Sequence, residues 1–352
     1  MGLDLENKEW KEFVFEDFFE IESTSSGIDR NKLITKAGSI PYLTRTEKDN
    51  AYDSFICKQS DEYEIDNSNV ITIGLDTQTV FYQPNEFYTG QNIQIIKFDK
   101  LNKYIAEFLI PLIKRQMEKF NWGGNGATLT RLRRSKLLIP ITKKNKPDYN
   151  FMEQYMRHKE QEKIEKYQIY VQKRLNDLKK TPKTISIDEK EWKEFDLKDI
   201  FTEIQRGKRL KKANHLEGLQ PYVSSTGVNN GIDGYVGNKE KVRVFNNCLT
   251  LANSGSVGSC FYQPFPFVAS DHITKLENKK FGKYTSLFIA NLVSRLGFKY
   301  SFNREINDQR IKREKIILPT NNKGKPDYVF MKNYMKNLEY KKLNEYLEFK
   351  KK

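Results

Sequence analysis

The sequence predicts a mixed α+β chain made by tandem duplication. Three observations carry that expectation: a pentapeptide that returns, a repeat period of domain size, and a change of pattern after each copy. Glu9-Trp10-Lys11-Glu12-Phe13 comes back as Glu191-Trp192-Lys193-Glu194-Phe195, an offset of 182 residues. Pro41-Tyr42 matches Pro221-Tyr222, and Phe81-Tyr82-Gln83-Pro84 matches Phe261-Tyr262-Gln263-Pro264, both at 180. Lys136-Leu137-Leu138-Ile139-Pro140 answers Lys315-Ile316-Ile317-Leu318-Pro319 at 179. Lys146-Pro147-Asp148-Tyr149 answers Lys325-Pro326-Asp327-Tyr328 at the same offset, as do Phe151-Met152 with Tyr155 and Phe330-Met331 with Tyr334. Two insertions or deletions account for this drift. A period near 180 residues is far too long for a stacked solenoid and is the size of a domain. Agreement lies at Pro, aromatic and aliphatic positions, while charged and loop positions differ. Two copies that share a core but face different ligands would leave that record.

Within one copy the elements follow in order. Glu9 to Ile21 and Glu191 to Ile204 open with an aromatic-rich strand or turn and a short amphipathic segment, Phe15-x-x-Phe18-Phe19 and Leu197-x-x-Ile200-Phe201. Polar loops of small residues come next, Ser23 to Asn31 and Arg206 to Asn214. Short β-prone runs follow: Val70-Ile71-Thr72-Ile73 and Cys248-Leu249-Thr250-Leu251, then Val80-Phe81-Tyr82 and Cys260-Phe261-Tyr262. A helix is predicted over Lys103 to Phe120 and over Lys283 to Leu296, from apolar residues at helical spacing. A Gly- or Asn-rich loop and a basic stretch leading into an aliphatic strand close each copy.

The pattern then changes. Asp148 to Lys180 contains neither Gly nor Pro and carries Tyr149, Met152, Tyr155, Ile164, Tyr167, Val171, Leu175 and Leu178 among Lys and Glu. Bounded by Pro147 and Pro182, it reads as one long amphipathic helix, about 50 Å at ~1.5 Å per residue. Its counterpart runs from Asp327 to Lys352, with Met331, Tyr334, Leu338, Leu343, Tyr346 and Leu347 on the apolar side. Such helices gain most of their stability by packing that stripe. Pairing the two, roughly antiparallel, buries both; packing of each on its own domain is the simpler alternative.

Composition bounds the function. With 61 Lys+Arg against 46 Asp+Glu the formal charge is +15, and the isoelectric point is near 9.4. An excess of this size draws polyanions and is the usual footprint of nucleic-acid binding. A lysine-rich proteome from an AT-rich genome would give a similar composition. Without a long apolar run or a signal-peptide pattern, a soluble, cytoplasmic chain is expected. Cys57, Cys248 and Cys260 are isolated, and His158, His215 and His272 are scattered. Neither a disulfide framework nor a zinc or acid–base constellation is supported. No Asn/Asp-Pro-Pro-aromatic motif and no phosphate loop occurs. Asn253-Ser254-Gly255-Ser256-Val257-Gly258 is Gly-rich but precedes a strand, so it reads as a turn. Pro326-Asp327 with Glu339-Tyr340-Lys341 formally meets a PD…ExK nuclease pattern. Those residues fall on one predicted helix rather than on adjacent strands, and the first copy lacks an aligned ExK.

The duplicated order of Trp-Lys-Glu-Phe, Pro-Tyr, Phe-Tyr-Gln-Pro, basic segment into aliphatic-Pro and Lys-Pro-Asp-Tyr-x-Phe-Met resembles DNA-specificity subunits of restriction-modification systems. The likeness is to the type I family, and most of all to the short two-repeat subunits of type IIB-like enzymes. It covers almost the whole chain; its motifs are weak singly and specific in their repeated order. The resemblance implies target recognition domains over 1–146 and 184–325. It also implies a spacer helix and linker over 147–183 and a second spacer helix over 326–352, the two antiparallel and coiled-coil-like. It implies a non-catalytic subunit that binds a bipartite duplex DNA target and directs adenine methylation, and cleavage where a nuclease is attached. No cofactor is then expected on this chain; S-adenosylmethionine and Mg²⁺ belong on partner methyltransferase and restriction subunits. A stand-alone nucleic-acid-binding regulator is the alternative, or a nuclease or methyltransferase with an unrecognised motif.

The residues suit base reading by loops in their own right. Thr44, Arg45, Thr46, Lys48 and Asn50 stand where the second copy has Ser224, Ser225, Thr226, Asn229 and Asn230 nearby. Arg pairs with guanine and Asn with adenine, so divergence here is what two unlike half-sites require; a polar surface turn is the plainer alternative. Phosphate contacts are expected from Arg131, Arg133 and Arg134, which follow Asn121-Trp122-Gly123-Gly124-Asn125-Gly126, and from Arg304, Arg310, Lys312 and Arg313. A third basic run, Arg206, Lys208, Arg209, Lys211 and Lys212, faces only Asp29, Arg30 and Lys32 in the first copy. Tyr82, Tyr262, Trp10 and Trp192 are identical in both copies and are expected in the scaffold.

Overall fold

The computed structural model describes residues 3–120, 126, 128–300 and 304–351. The chain divides into two compact units, Met1–Tyr167 and Gln168–Lys352.

In the first unit, four antiparallel strands form one sheet in the order Glu20–Ser23, Ile93–Lys97, Val70–Gly74, Val80–Gln83. A second sheet has the order Tyr52–Ile56, Ala37–Leu43, Tyr88–Thr89, its last pairing parallel. Trp10–Val14 pairs with Lys136–Pro140 in a separate ribbon, so the two ends of the copy close on each other. The strand Val70–Gly74 is buried along its whole length because both faces are covered. Ile71 and Ile73 point into a core with Phe15, Leu109, Ile113 and Met152, while Val70 enters a smaller core with Leu43 and Phe87. That is the period-two alternation of a strand serving two cores.

The second unit repeats this plan. Glu203–Arg206, Ile273–Glu277, Cys248–Ala252 and Cys260–Gln263 form the first sheet, and Trp192–Asp196 pairs with Lys315–Pro319. The second sheet gains a strand: Val244–Phe245 lies beside Phe267–Ala269, where the first unit has only a single bridge between Asp66 and Phe87. Leu249 and Leu251 face one core, Cys248 and Ala252 the other.

The strand registers agree with the expected pairing of these β runs and raise the number of insertions and deletions above two. Val70 and Cys248 each pair opposite the Gln of Phe-Tyr-Gln-Pro, which places them 178 residues apart while both Gln lie 180 apart. The segment before this strand is therefore two residues shorter in the second copy, and the following loop is two residues longer. These changes cancel between the Pro-Tyr and Phe-Tyr-Gln-Pro anchors, whose common offset of 180 hides them; Ile21 and Ile204 mark another insertion, at an offset of 183.

The helix predicted over Lys103 to Phe120 spans Lys103–Met117, with Asn102 capping Ile105 N at 3.0 Å. Its counterpart is Lys283–Ser294, continued by a 3₁₀ turn, Arg295–Phe298. The long helices are Tyr149–Leu178 and Tyr328–Lys351. Each starts at a capping aspartate: Phe151 N donates to Asp148 (3.0 Å) and Phe330 N to Asp327 (2.9 Å). The other oxygen of each carboxylate accepts from Lys8 or Lys190, at 2.6 and 2.7 Å. Burial opposes the charge on Asp327, but the Lys190 and Phe330 bonds outweigh it and hold the carboxyl below the usual range.

Both expected packings of the long helices occur, in different turns. Met152 is buried in the core of its own unit, as Phe330 and Met331 are in theirs. Val171, Leu175 and Leu178, the last turns of the first helix, pack with Leu343 and Tyr284 inside the second unit. Asn337 donates to Pro182 O, while Glu339 pairs with Arg174 at 2.8 Å two turns earlier, so the two segments run in opposite directions. Between Met152 and Val171 no residue is buried and Tyr167 is exposed, so the apolar stripe is interrupted. No described helix is long and apolar enough to cross a membrane.

Candidate nucleic-acid interface

The loops 44–50 and 224–230 have the same backbone frame. Each leaves a strand of the second sheet and returns through a 3₁₀ turn, Asp49–Ala51 or Asn229–Gly231, with Asn50 (φ 57) and Asn230 (φ 56) left-handed. Asn tolerates that conformation better than most residues. Thr44 N bonds Ala51 O and Ser224 N bonds Gly231 O, each at 3.0 Å, closing the loop at its neck. The Asn50 amide nitrogen donates to Tyr82 O (3.0 Å) and Gln83 Oε1 (3.4 Å), and Gln83 Nε2 donates back to Asn50 O and to Thr72 Oγ1. Asn230 and Gln263 repeat this exchange. Gln83 and Gln263 are fully buried, so the repeated Phe-Tyr-Gln-Pro anchors the loop by its glutamine. Both amide donors of Asn50 and Asn230 are committed within the protein. They hold the loop in place.

Arg45, Thr44 and Thr46 are half-buried, Lys48 and Asn229 exposed. The Arg45 guanidinium forms an ion pair with Asp76, on the loop between Val70–Gly74 and Val80–Gln83. Both line a cleft of about 660 Å³ with Asp29, Arg30, Thr44 and Asp53. Three loops thus converge in the first unit, and the loop sequence 44–50 gave no hint of Asp76. Only the short strand-to-strand connection Leu75-Asp76-Thr77-Gln78-Thr79 could have signalled it. In the second unit the longer connection folds back instead: Ser256 N donates to Ser225 O at 3.0 Å. A Cβ on Gly255 (φ +62) would lie 2.6 Å from Ser225 Oγ. Ser224 Oγ bonds Asp233 at 2.9 Å, and Thr226, Val228 and Tyr235 border a separate, shallower depression of about 440 Å³.

A second residue without a sequence signal is Asp66, 2% exposed. It accepts from Ser25 N (2.7 Å) and Ser26 Oγ (2.8 Å), pinning the loop that carries Asp29 and Arg30 to the cleft. Burial pushes this carboxyl up, against those hydrogen bonds. The matching loop of the second unit is pinned by backbone bonds, Gly207 N to Ile273 O and Lys208 N to Ala269 O.

None of the basic candidates is among the residues that line the cleft. Arg131, Arg133 and Arg134 sit on and after the short helix Leu129–Arg133, exposed, with Arg131 bonded to Gly126 O and Arg133 to Ile21 O. Arg310, Lys312 and Arg313 occupy the matching turn, and Arg304 stacks over Tyr300 at 5.5 Å. Asn121 to Asn125 and Ser301 to Asn303 lie outside the described residues. Arg206 donates by Nε to Asp271 O and is half-buried, whereas Lys208, Arg209, Lys211 and Lys212 are exposed. Tyr82 and Tyr262 donate to Asn69 and Asn247, and Trp10 and Trp192 stack on Phe108 and Phe288, all in matching scaffold positions. Asp327 and Glu339 of the nuclease-like pattern are held by Lys190 and by Arg174. Burial pushes the Cys248 thiol up to about 12 and raises that of Cys260. Among the described residues, no His/Cys/Asp/Glu group is arranged to hold a metal.

Two copies of one scaffold, sharing the Asn–Gln anchor of loops 44–50 and 224–230 but filling those loops with different chemistry, define a recognition subunit. The family profile described as the type I restriction modification DNA specificity domain matches residues 7–169 and 189–348, once in each copy. The chain belongs to this family of non-catalytic DNA specificity subunits, which direct methylation and restriction in restriction-modification systems. It is 30% identical over 333 residues to the specificity subunit of a type II restriction enzyme, S.BcgI of Heyndrickxia coagulans, with 94% of each chain covered. Among solved structures it is similar to the type I system S subunit from M. genitalium, with 15% identity and a TM-score of 0.46 over 99% of this chain and 93% of that one. It is also similar to the HsdS subunit from Thermoanaerobacter tengcongensis, with 11% identity and a TM-score of 0.31 over 96% and 89%.

Proposed function

We propose that this chain reads a bipartite duplex DNA site, one part by each unit, and directs adenine methylation to it by partner methyltransferase subunits. The observation that carries this reading is the contrast between matched cores and unmatched loops: the Asn50–Gln83 and Asn230–Gln263 anchors coincide, while Arg45 with Asp76 stands against Ser225 with Ser256. Residues 1–146 and 184–325 act as target recognition domains, with 147–183 and 326–352 as spacer helices. Thr44, Arg45, Thr46 and Lys48, and Ser224, Ser225, Thr226 and Asn229, present side chains to bases. Arg131, Arg133, Arg134, Arg206, Lys208, Arg209, Lys211, Lys212, Arg304, Arg310, Lys312 and Arg313 contact phosphates, as the net charge of +15 favours. S-adenosylmethionine sits on the methyltransferase, and Mg²⁺ on a nuclease subunit where one is attached. Mapping methylated adenines across the genome with and without this gene tests the reading. One two-part motif with a constant gap should vanish with the gene, and footprinting should give two protected patches. A single uninterrupted patch, or an unchanged methylation map, would overturn it.

A further inference from the structure

We propose that the Arg45–Asp76 pair selects a G·C base pair in the first unit's half of the site, with Arg45 contacting the guanine and Asp76 acting as the positioning residue that holds it. The inference rests on the specificity-subunit reading and adds to it a residue outside the loop 44–50. The two charges form an ion pair inside the cleft, their side chains 40% and 27% exposed, so a ligand entering the cleft reaches both. Asp76 is two residues beyond a strand buried on both faces, so its backbone is anchored close to the core. The stem of Arg45 runs past Gly74, where a Cβ would lie 3.5 Å from its Cγ. A guanidinium has five N–H donors, and one carboxylate occupies no more than two of them. The rest match the paired acceptors O6 and N7 of guanine, whereas adenine places an amino donor against them. A guanidinium already held in place loses less side-chain freedom on binding. Because the pair is mutually neutralised, it adds little attraction for phosphates and acts on selectivity rather than on overall affinity. The second unit has Ser225 at the place of Arg45 and a longer loop folded against it, so this selection belongs to one half-site.

The test is selection of bound sequences from a duplex library randomised in both half-sites, using the full chain assembled with its methyltransferase subunit, together with binding to an unrelated duplex. Arg45→Lys keeps the charge but not the fork. It should lower the G·C preference at one position by about 5- to 150-fold and leave the other half-site intact. Asp76→Asn should flatten the same position while binding to the unrelated duplex holds or tightens, since a negative charge is lost. Asp76→Glu should restore part of the preference. A merely structural ion pair of this exposure would move neither readout. The inference fails if either variant keeps the preference, or if Asp76→Asn weakens every position together. If the unaltered chain selects a two-part site and the variants select the same one, this inference alone falls. If the unaltered chain selects no sequence, the specificity reading falls as well.

Discussion

The cleft of the first unit and the matching surface of the second are built on the same anchors and end with opposite properties. In the first, a five-residue connection lets Asp76 pair with Arg45 inside an open cleft; in the second, two further residues let Ser256 reach back to Ser225 instead. The lesson is that the scaffold fixes where a loop is pinned, and the length of the neighbouring connection decides what the loop presents. Loop chemistry can then change without disturbing the core beneath it.

The comparison breaks most visibly in the cores. Leu109→Ala and Ile289→Ala empty equivalent buried positions and should each cost about 2–5 kcal/mol, read from denaturant midpoints. A cost below about 1 kcal/mol at one of them would mean that the copies do not share a packing plan. Asp66 is the next contrast, because its counterpart region is held by backbone bonds and by the Arg206 side chain, which donates to Asp271 O. Asp66→Ala leaves Ser25 N and Ser26 Oγ without their acceptor and should cost about 1–3 kcal/mol. The pH dependence has a definite sign. Burial raises the folded pKa above the ordinary ~3.9, so the proton-linked contribution of Asp66 is full below that value and is lost as pH rises through the raised pKa. The stability lead of the unaltered chain over Asp66→Asn should therefore be larger at about pH 4 than at about pH 7, and an unchanged lead would refute the shift.

Smaller effects sharpen the division between anchoring and reading. Asn50→Ala and Asn230→Ala should each destabilise by about 1 kcal/mol and blur several base pairs of one half-site, because the whole loop loses its tether. Loss of preference at a single base pair would instead return these residues to direct reading. Lys211→Ala should have the smallest effect. Binding weakens alike for all sequences, and the slope of log affinity against log salt falls by about one. A sequence-dependent loss would remove Lys211 from the backbone set.

Much of this was legible in the sequence, for reasons that particular residues make plain. Trp10 and Trp192, packed against the cores, and Met152 and Met331, buried in them, recur because packed positions tolerate few replacements, and their spacing located both copies and both long helices. Arg45 drew attention as a guanine-type donor in a polar loop. Asp76 did not, because no local pattern distinguishes a carboxylate that meets an arginine thirty-one positions earlier from one in a solvated turn. The amide anchors were equally illegible: Asn50 and Asn230 have the right chemistry for adenine, and the partners that hold them, Gln83 and Gln263, are remote in sequence. The continuous stripe expected along Tyr149–Leu178 likewise separated into two buried ends, since periodicity shows which residues could be buried together but not what is there to cover them.

The amino-acid sequence by itself determined the duplication, the mixed α+β elements, the charge and the family, all of which depend on composition and on residues near one another along the chain. Only the tertiary structure decided which loops share a cleft, which polar groups are already satisfied and which charge faces which. Those outcomes rest on contacts between residues far apart in sequence, where a two-residue difference in one connection changes the surface that another loop presents.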